Sequence, residues 1–132
     1  MRLFPDTNVW VGAFAAAGLC EALLDHAMEK HEVLTAPLVW EELRRVLVKK
    51  LRFNKAELAM ARFALADAEW VDDAPASAGN NDRRLIAAAA AARADLFVTG
   101  DKALLERGQA GAMRIVAPRQ AWLILVPPAG PR

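Results

Sequence analysis

Short apolar segments alternate along the chain with longer segments in which apolar residues recur at helical spacing. The short segments predict strands at residues 2–5, 32–36, 70–71, 96–99 and 114–116. The longer segments predict helices at residues 9–17, 21–30, 37–50, 54–69, 82–93, 102–107 and 118–125. Strands that alternate with helices predict an α/β fold whose parallel sheet is covered on both faces.

The length and composition are those of one folded domain. We expect residues 1–126 to form this domain and residues 127–132 to be a flexible tail. Hydrophobic residues make up 55% of the 132 residues, which argues against a disordered chain. The net charge of +1 gives no general sign of nucleic-acid binding, so any basic surface must come from local clusters. The single cysteine, Cys20, rules out an internal disulfide and suits a reducing compartment.

An apolar run at residues 9–19 has the composition of a signal-peptide core. Asp6 and Asn8 interrupt the run on its N-terminal side, and Leu19 stands where a cleavage site before Cys20 needs a small residue. No apolar run comes near the roughly 20 residues that a membrane-spanning helix needs. We therefore expect a soluble, cytoplasmic protein with no membrane partner.

Two acidic residues directly follow predicted strands. Asp6 comes after the first strand, and Asp101 comes after the strand at 96–99 and the turn residue Gly100. Because the carboxyl ends of parallel strands meet at one edge of the sheet, we expect both side chains at that edge. Each residue also stands where an aspartate would cap a helix by accepting a backbone N–H, which is the alternative interpretation.

Two further acids lie at or near helix starts. Glu42 falls at the border of the apolar arc of its helix, whereas Glu41 points to solvent. A carboxylate at the margin of a buried face needs a partner, which is either a metal ion or an arginine such as Arg45. Asp82 opens the alanine-rich helix, and a helix cap is again the alternative.

Four carboxylates gathered at one sheet edge would repel each other unless a cation lay between them. A set of oxygen ligands suits Mg²⁺ or Mn²⁺, whereas zinc prefers histidine or cysteine. His26 and His31 lie among polar residues and cannot form a zinc set with Cys20. A carboxylate-bound Mg²⁺ orients water and neutralises charge on a reacting phosphate, so the pattern predicts phosphodiester chemistry.

The chain resembles the PIN-domain family, in the branch of VapC-like ribonucleases that act as toxins of toxin–antitoxin systems. Four segments carry the resemblance, namely FPDTNV at 4–9, PLVWEEL at 37–43, LFVTGDK at 96–102 and IVAPRQ at 115–120. It covers essentially the whole domain and implies a three-layer α/β/α sandwich around a parallel sheet of four to five strands. It also implies an endoribonuclease that depends on Mg²⁺ or Mn²⁺, that pairs with an antitoxin protein and that forms a homodimer.

Site residues follow from the same resemblance. The positions that match the catalytic and metal-binding acids of the family are Asp6, Glu42, Asp82 and Asp101. The polar residues expected to line the pocket are Thr7, Asn8 and Thr99. The segment 79–81 before Asp82 is less acidic than is usual in this branch, so one alternative is a PIN-fold module that binds RNA or a partner without cleaving it.

Basic residues near the predicted acids are candidates for RNA contacts through phosphate groups. These candidates are Arg83, Arg84 and Lys102. A second basic cluster at residues 49–55 is either a solvated surface or a further contact, and Trp10 either stacks on a base or fills the core.

Other Mg²⁺-dependent α/β domains that handle phosphate are also alternatives. A haloacid-dehalogenase-like phosphatase needs a second aspartate two residues after the first, where this chain has Asn8. A receiver domain needs an acidic pair before its phosphorylated aspartate, and residues 2–5 contain none.

Overall fold

The computed structural model describes residues 1–129, which form thirteen strands and helices. The strands are β1 (Arg2–Pro5), β2 (Glu32–Thr35), β3 (Glu69–Trp70), β4 (Leu96–Val98), β5 (Gln109–Ala110) and β6 (Met113–Val116). The helices are α1 (Thr7–Ala15), α2 (Leu19–Lys30), α3 (Pro37–Lys49), α4 (Lys55–Leu65), α5 (Asn81–Ala91), α6 (Lys102–Arg107) and α7 (Pro118–Leu125). One 3-10 turn, Ala76–Ala78, lies in the long connection before α5.

The six strands form one sheet in the order β3-β2-β1-β4-β6-β5, and all neighbouring pairs except β5–β6 are parallel. The α/β class with a central, mainly parallel sheet between helices is therefore confirmed. From β1 the chain first adds β2 and β3 on one side and then returns to place β4 on the other. The strand order thus reverses between β1 and β4, which is where such sheets open a crevice at their carboxyl edge.

The core lies on both faces of β1 and β4, whose residues are almost all buried. Phe4 and Phe97 are adjacent in register across these strands and stack with ring centroids 5.7 Å apart. Leucines from α2, α3, α4 and α5 close over the sheet, among them Leu23, Leu43 and Leu85. Near-continuous apolar strands are typical of parallel sheets that are buried on both faces.

The sixth strand, β5, is the main departure from the predicted elements. Its residues Gln109 and Ala110 pair antiparallel with Arg114 and Met113. The tight turn between β5 and β6 contains Gly111 with a φ of 61°, a conformation that glycine adopts at little cost. Two residues carry too little apolar pattern to predict a strand, although the pairing that forms this hairpin is local.

Smaller differences concern element ends. Helix α1 begins at Thr7 rather than at 9, and α4 ends at Leu65 rather than at 69. The expected tail at 127–132 has no regular structure over 127–129, and 130–132 lie outside the described residues. Within residues 1–129, no single helix is long and apolar enough to cross a bilayer. Helices α1 and α2 meet the length and apolarity criteria only when they are taken together, and they are bent by 111° relative to each other.

The stacked pair of phenylalanines gives a stability test. Phe97 is 0% exposed, so Phe97→Ala should lower the free energy of unfolding by about 3–5 kcal/mol through lost burial and a residual cavity. Phe63, which is 78% exposed on α4, is the matched control, and Phe63→Ala should change the stability by less than about 0.5 kcal/mol. Urea denaturation measures both, and equal losses in the two variants would contradict the described core.

Candidate metal centre

All four predicted acids line one cleft of about 350 Å³ at the carboxyl edge of the sheet. The complete lining is Asp6, Thr7, Asn8, Val11, Glu42, Val46, Lys50, Asp82 and Asp101. Asp6 and Asp101 follow the adjacent central strands β1 and β4, whereas Glu42 comes from α3 and Asp82 from α5. Elements far apart in the sequence therefore present acidic side chains to one space.

Asp6 is the most deeply placed of these acids, with 5% of its surface exposed. The pKa of its carboxyl group is raised to about 6, mainly by burial and to a smaller extent by the negative charges of Asp82 and Glu42. Hydrogen bonds from the Thr99 hydroxyl and the Thr7 backbone N–H favour the ionised form and oppose this rise. The burial dominates, so the carboxylate is ionised only at a cost that a bound cation would remove.

Polar residues at the ends of β1 and β4 hold the Asp6 carboxylate in place. Thr99 Oγ1 donates to Asp6 Oδ2 at 2.8 Å, and Asn8 Nδ2 donates to the same oxygen at 3.2 Å. Asn8 is fixed in turn, because its Oδ1 accepts the backbone N–H of Gly100 at 3.1 Å. The three residues predicted to line the pocket, Thr7, Asn8 and Thr99, all belong to this network.

Glu42 is half-buried and accepts two hydrogen bonds across the cleft. Thr7 Oγ1 donates to its Oε1 at 2.7 Å, and Asn81 Nδ2 donates to its Oε2 at 3.0 Å. Arg45, the alternative partner, instead forms a 2.8 Å salt bridge with the exposed Glu41. The two neighbouring glutamates thus have separate environments, as the helical period predicts.

Asp82 does not cap α5, so that alternative is wrong. Asn80 is the cap, and its Oδ1 accepts the backbone N–H of Arg83 at 3.0 Å. Asp82 is the second residue of the helix and faces the cleft, where burial, Asp101 and Glu42 raise the pKa of its carboxyl group. Its place in the cleft is therefore not explained by a capping bond.

Asp101 has both of the roles that its sequence position allows, a helix cap and an acid of the cleft. It caps α6, since its Oδ1 accepts the backbone N–H of Leu104 at 3.1 Å, and it also lines the acidic cleft. Its own backbone N–H donates to Thr99 Oγ1 at 3.1 Å, which links it to the Asp6 network. A carboxylate has two oxygens, so a cap at one of them leaves the other able to bind a cation.

The chemistry of this cluster fits a hard divalent cation. None of the four acids forms a salt bridge with any residue from 1 to 129, although Lys50 lines the same cleft. Their oxygen ligands are those that Mg²⁺ and Mn²⁺ prefer. Over the same residues, no three Asp, Glu, His or Cys side chains already surround a common point, because groups such as Glu42 are turned toward neutral donors.

The predicted basic residues lie around the cleft rather than in it. Arg83 and Lys102 are exposed neighbours of Asp82 and Asp101. Arg84 is half-buried, and its Nε donates to the carbonyl oxygen of Ala74 at 3.0 Å, which ties α5 to the preceding connection. Trp10 is buried and belongs to the core.

Two polar residues, one that lines the cleft and one that contacts Glu42, were missed as specific site candidates. Lys50 lines the cleft, and it lies eight residues after Glu42 and four after Val46, so a search along one helix face could have found it. Asn81 donates to Glu42, but its position before Asp82 carries no signal for that contact. The bond depends on how α3 and α5 pack together, which is a tertiary feature.

The sequence matches the model of the PIN domain family over residues 2–103, a region that contains all four acids. This chain belongs to the PIN domain family. The match excludes the receiver-domain and phosphatase alternatives. A search of curated proteins returns no match.

Solved structures agree with the fold of this PIN domain. The crystal structure of VapBC2 from Rickettsia felis, bound to a DNA fragment from the promoter, contains a similar chain. The TM-score is 0.62 with 16% sequence identity, and the alignment covers 89% of this chain and 98% of that one. At this identity, the likeness establishes a shared fold.

The buried charge of Asp6 predicts a gain of stability on neutralisation. Its pKa of about 6 in the folded protein exceeds the value of about 4 in an unfolded chain, so ionisation destabilises the fold as the pH rises through this interval. In chelator at pH 7.5, Asp6→Asn should therefore raise the free energy of unfolding by up to about 3 kcal/mol. At pH 4.5 the gain should fall to about 1 kcal/mol.

Thermal and urea unfolding at the two pH values measure this gain. Asp25→Asn is the matched control, because Asp25 is an exposed acid on α2 and its replacement should leave the stability nearly unchanged. A variant Asp6→Asn that is less stable than the native protein at pH 7.5 would show that the Asp6 carboxylate is not held at an electrostatic cost.

Proposed function

We propose that this PIN domain is a metal-dependent endoribonuclease, the toxin of a toxin–antitoxin pair, which acts in the cytoplasm. The observation that carries the proposal is one cleft lined by four acids, none of which forms a salt bridge with residues 1–129. Membership of the PIN domain family supports a nuclease. The proposed cofactor is Mg²⁺ or Mn²⁺, and the proposed substrate is RNA.

Each acid has a role in this proposal. Asp6 and Asp101 follow adjacent central strands and would be the primary ligands of the cation. Glu42 and Asp82 would complete the coordination or orient the attacking water. When bound, Mg²⁺ or Mn²⁺ neutralises charge on the phosphate and makes a bound water more acidic.

The polar residues would position the acids rather than react. Thr99 and Asn8 hold Asp6 Oδ2, and Thr7 holds Glu42 Oε1, so these carboxylates are oriented before a substrate arrives. Such preorganisation lowers the reorganisation cost of the reaction. In-line attack of water on the phosphodiester would then leave a 3′-hydroxyl and a 5′-phosphate.

The alternative is a PIN-fold module that binds RNA or a partner without cleavage. Asn81 supports this alternative, because its side chain is an amide rather than an acid and donates a hydrogen bond to one oxygen of Glu42. An amide contributes no charge toward a second metal ion. Cleavage assays decide between the two.

A cleavage assay with purified protein and labelled single-stranded RNA tests the enzyme. The native protein should cut RNA with Mn²⁺ or Mg²⁺ and lose this activity with chelator, and Asp6→Asn should lower the rate at least about 100-fold. Glu41→Gln is the matched control, because Glu41 is exposed and paired with Arg45 outside the cleft. An equally active Asp6→Asn protein would end the proposal.

Metal binding can be measured independently of cleavage, through its effect on stability. Mn²⁺ at 100 times its dissociation constant should stabilise the native protein by about 2.7 kcal/mol and should leave Asp6→Asn nearly unchanged. Stabilisation without any cleavage would favour the non-cleaving module.

The proposed antitoxin needs a docking surface, for which a second cleft of about 360 Å³ between α1, α2 and α4 is our candidate. Its walls include Trp10, Phe14 and Met28, and its rim carries the acids Glu21 and Asp25. Neither acid forms a salt bridge within the described chain. The indole N–H of Trp10 is buried and has no hydrogen-bond partner there.

These features fit an amphipathic helix of an antitoxin that carries a basic side chain. The apolar walls would take its hydrophobic face, and Glu21 and Asp25 would pair with lysine or arginine. The exposed Met60 and Phe63 on α4 extend the apolar surface next to Ala64, which lines the cleft. The homodimer implied by the resemblance stays a prediction, which light scattering on the purified protein tests.

A charge reversal tests the antitoxin cleft. Asp25→Lys should weaken binding to the product of a small reading frame next to the gene about tenfold, because it opposes the basic side chain. Glu106→Lys, an exposed acid on α6, is the control and should bind like the native protein. Titration calorimetry measures the affinities. The proposal fails if no adjacent product binds, or if both variants bind equally well.

A further inference from the structure

A third groove, of about 550 Å³, lies beside the acidic cleft and has the opposite charge. One wall is the side of α5 that carries Arg83, Ile86 and Ala90, and the other holds Arg107 and Gly111. Of the residues that the structure describes, no carboxylate lines this groove. We define it as the α5–α6 groove.

The two arginines of the α5–α6 groove are available to an anionic ligand. Arg83 and Arg107 are exposed, and neither guanidinium forms a hydrogen bond or a salt bridge with residues 1–129. Two unpaired arginines in a groove whose lining contains no acid form a local site of positive potential.

Helices α5 and α6 contribute to both the groove and the acidic cleft. Asp82 is the second residue of α5 and Asp101 is the cap of α6, and both line the acidic cleft. Arg83 directly follows Asp82, and Arg107 ends α6, about 9 Å along the helix from Asp101. A polymer that has one phosphate in the cleft can therefore place neighbouring phosphates along the groove.

The connection before α5 fixes the stem of Arg83. Its backbone N–H donates to the cap Asn80, and its side chain lies over Gly79, where an added Cβ would be 2.7 Å from Arg83 Cδ. Gly79 also has a φ of 124°, a conformation that other residues rarely adopt. Only glycine therefore leaves room for the arginine in this orientation.

We propose that the α5–α6 groove holds the single-stranded RNA that extends from the acidic cleft, with Arg83 and Arg107 on successive phosphates. This inference rests on the proposed function for its substrate, and it assigns a binding surface beyond the cleft. Such contacts supply affinity and salt dependence with little sequence information. Continuity with the cleft favours the same polymer over a separate acidic peptide.

Binding of two RNA lengths tests this path. The native protein is titrated with a 4-nucleotide and a 12-nucleotide labelled RNA in Ca²⁺, which carboxylate oxygens also bind but whose looser coordination should not support cleavage, and fluorescence anisotropy gives the affinities. The long RNA should bind more tightly than the short one. Adding Arg107→Gln should weaken binding of the long RNA about fivefold and should lower its salt slope by about 0.7.

Matched variants separate a specific contact from a general effect of charge. Arg44→Gln removes an exposed arginine that lies about 200° around α3 from Glu42, and it should keep the full advantage of the long RNA. Arg107→Lys should keep most of the advantage of the long RNA over the short one, because the positive charge remains. Circular dichroism spectra of all variants check that the fold is unchanged.

Three outcomes would overturn the inference. In the first, Arg107→Gln leaves the length advantage and the salt slope as they were. In the second, Arg44→Gln weakens binding as much as Arg107→Gln does. In the third, Arg107→Gln weakens binding of a poly-glutamate peptide and not of RNA. Arginine-dependent binding of long RNA without cleavage by the native protein would instead refute only the nuclease, so the two failures are distinguishable.

Discussion

The buried carboxylate of Asp6 is the constraint around which the rest of the site is arranged. It lies where β1 ends beside β4, and its own backbone N–H donates to the carbonyl oxygen of Val98 at 2.7 Å. Burial makes its negative charge costly, and hydrogen bonds from the ends of both strands offset only part of that cost. A protein that retains such a group gives up stability, which is common where a charge is needed for binding or catalysis. The position is therefore better explained by a bound cation than by the fold alone.

From Asp6 the network extends to the other acids through neutral donors. Thr99 contacts Asp6 with its hydroxyl and also accepts the backbone N–H of Asp101. Thr7 donates its backbone N–H to Asp6 and its hydroxyl to Glu42. These threonines let negatively charged groups stand near each other without direct contact. They also explain how a cleft with four acids remains folded before any cation binds, since neutral hydrogen bonds offset part of the repulsion.

Charge is divided between neighbouring surfaces of this PIN domain. The cleft is acidic, whereas Lys50 stands at its wall and Arg83 and Arg107 lie in the next groove. In the proposed function, the acidic cleft alone would repel an RNA phosphate, so cation binding would accompany or precede RNA binding. The basic residues would then hold phosphates away from the scissile bond. The net charge of +1 conceals this division, because it sums two opposite local fields.

The sequence alone determined most of the elements and the common edge for Asp6 and Asp101, because apolar periodicity and strand order are local properties of a parallel sheet. It also separated Glu41 from Glu42, since the helical period decides which of two neighbours faces inward. It did not predict the β5–β6 hairpin, because a two-residue strand shows too little apolar alternation to be recognised even though the two strands pair locally. Nor did it show that Asn80 caps α5, that Asn81 reaches Glu42, or that Lys50 enters the cleft. The Asn80 cap and the position of Lys50 are local to their own helices, so helix-cap preference and helical period could have indicated them. The contact between Asn81 and Glu42 depends on how α3 and α5 pack across the sheet edge, and only the tertiary structure decides that packing.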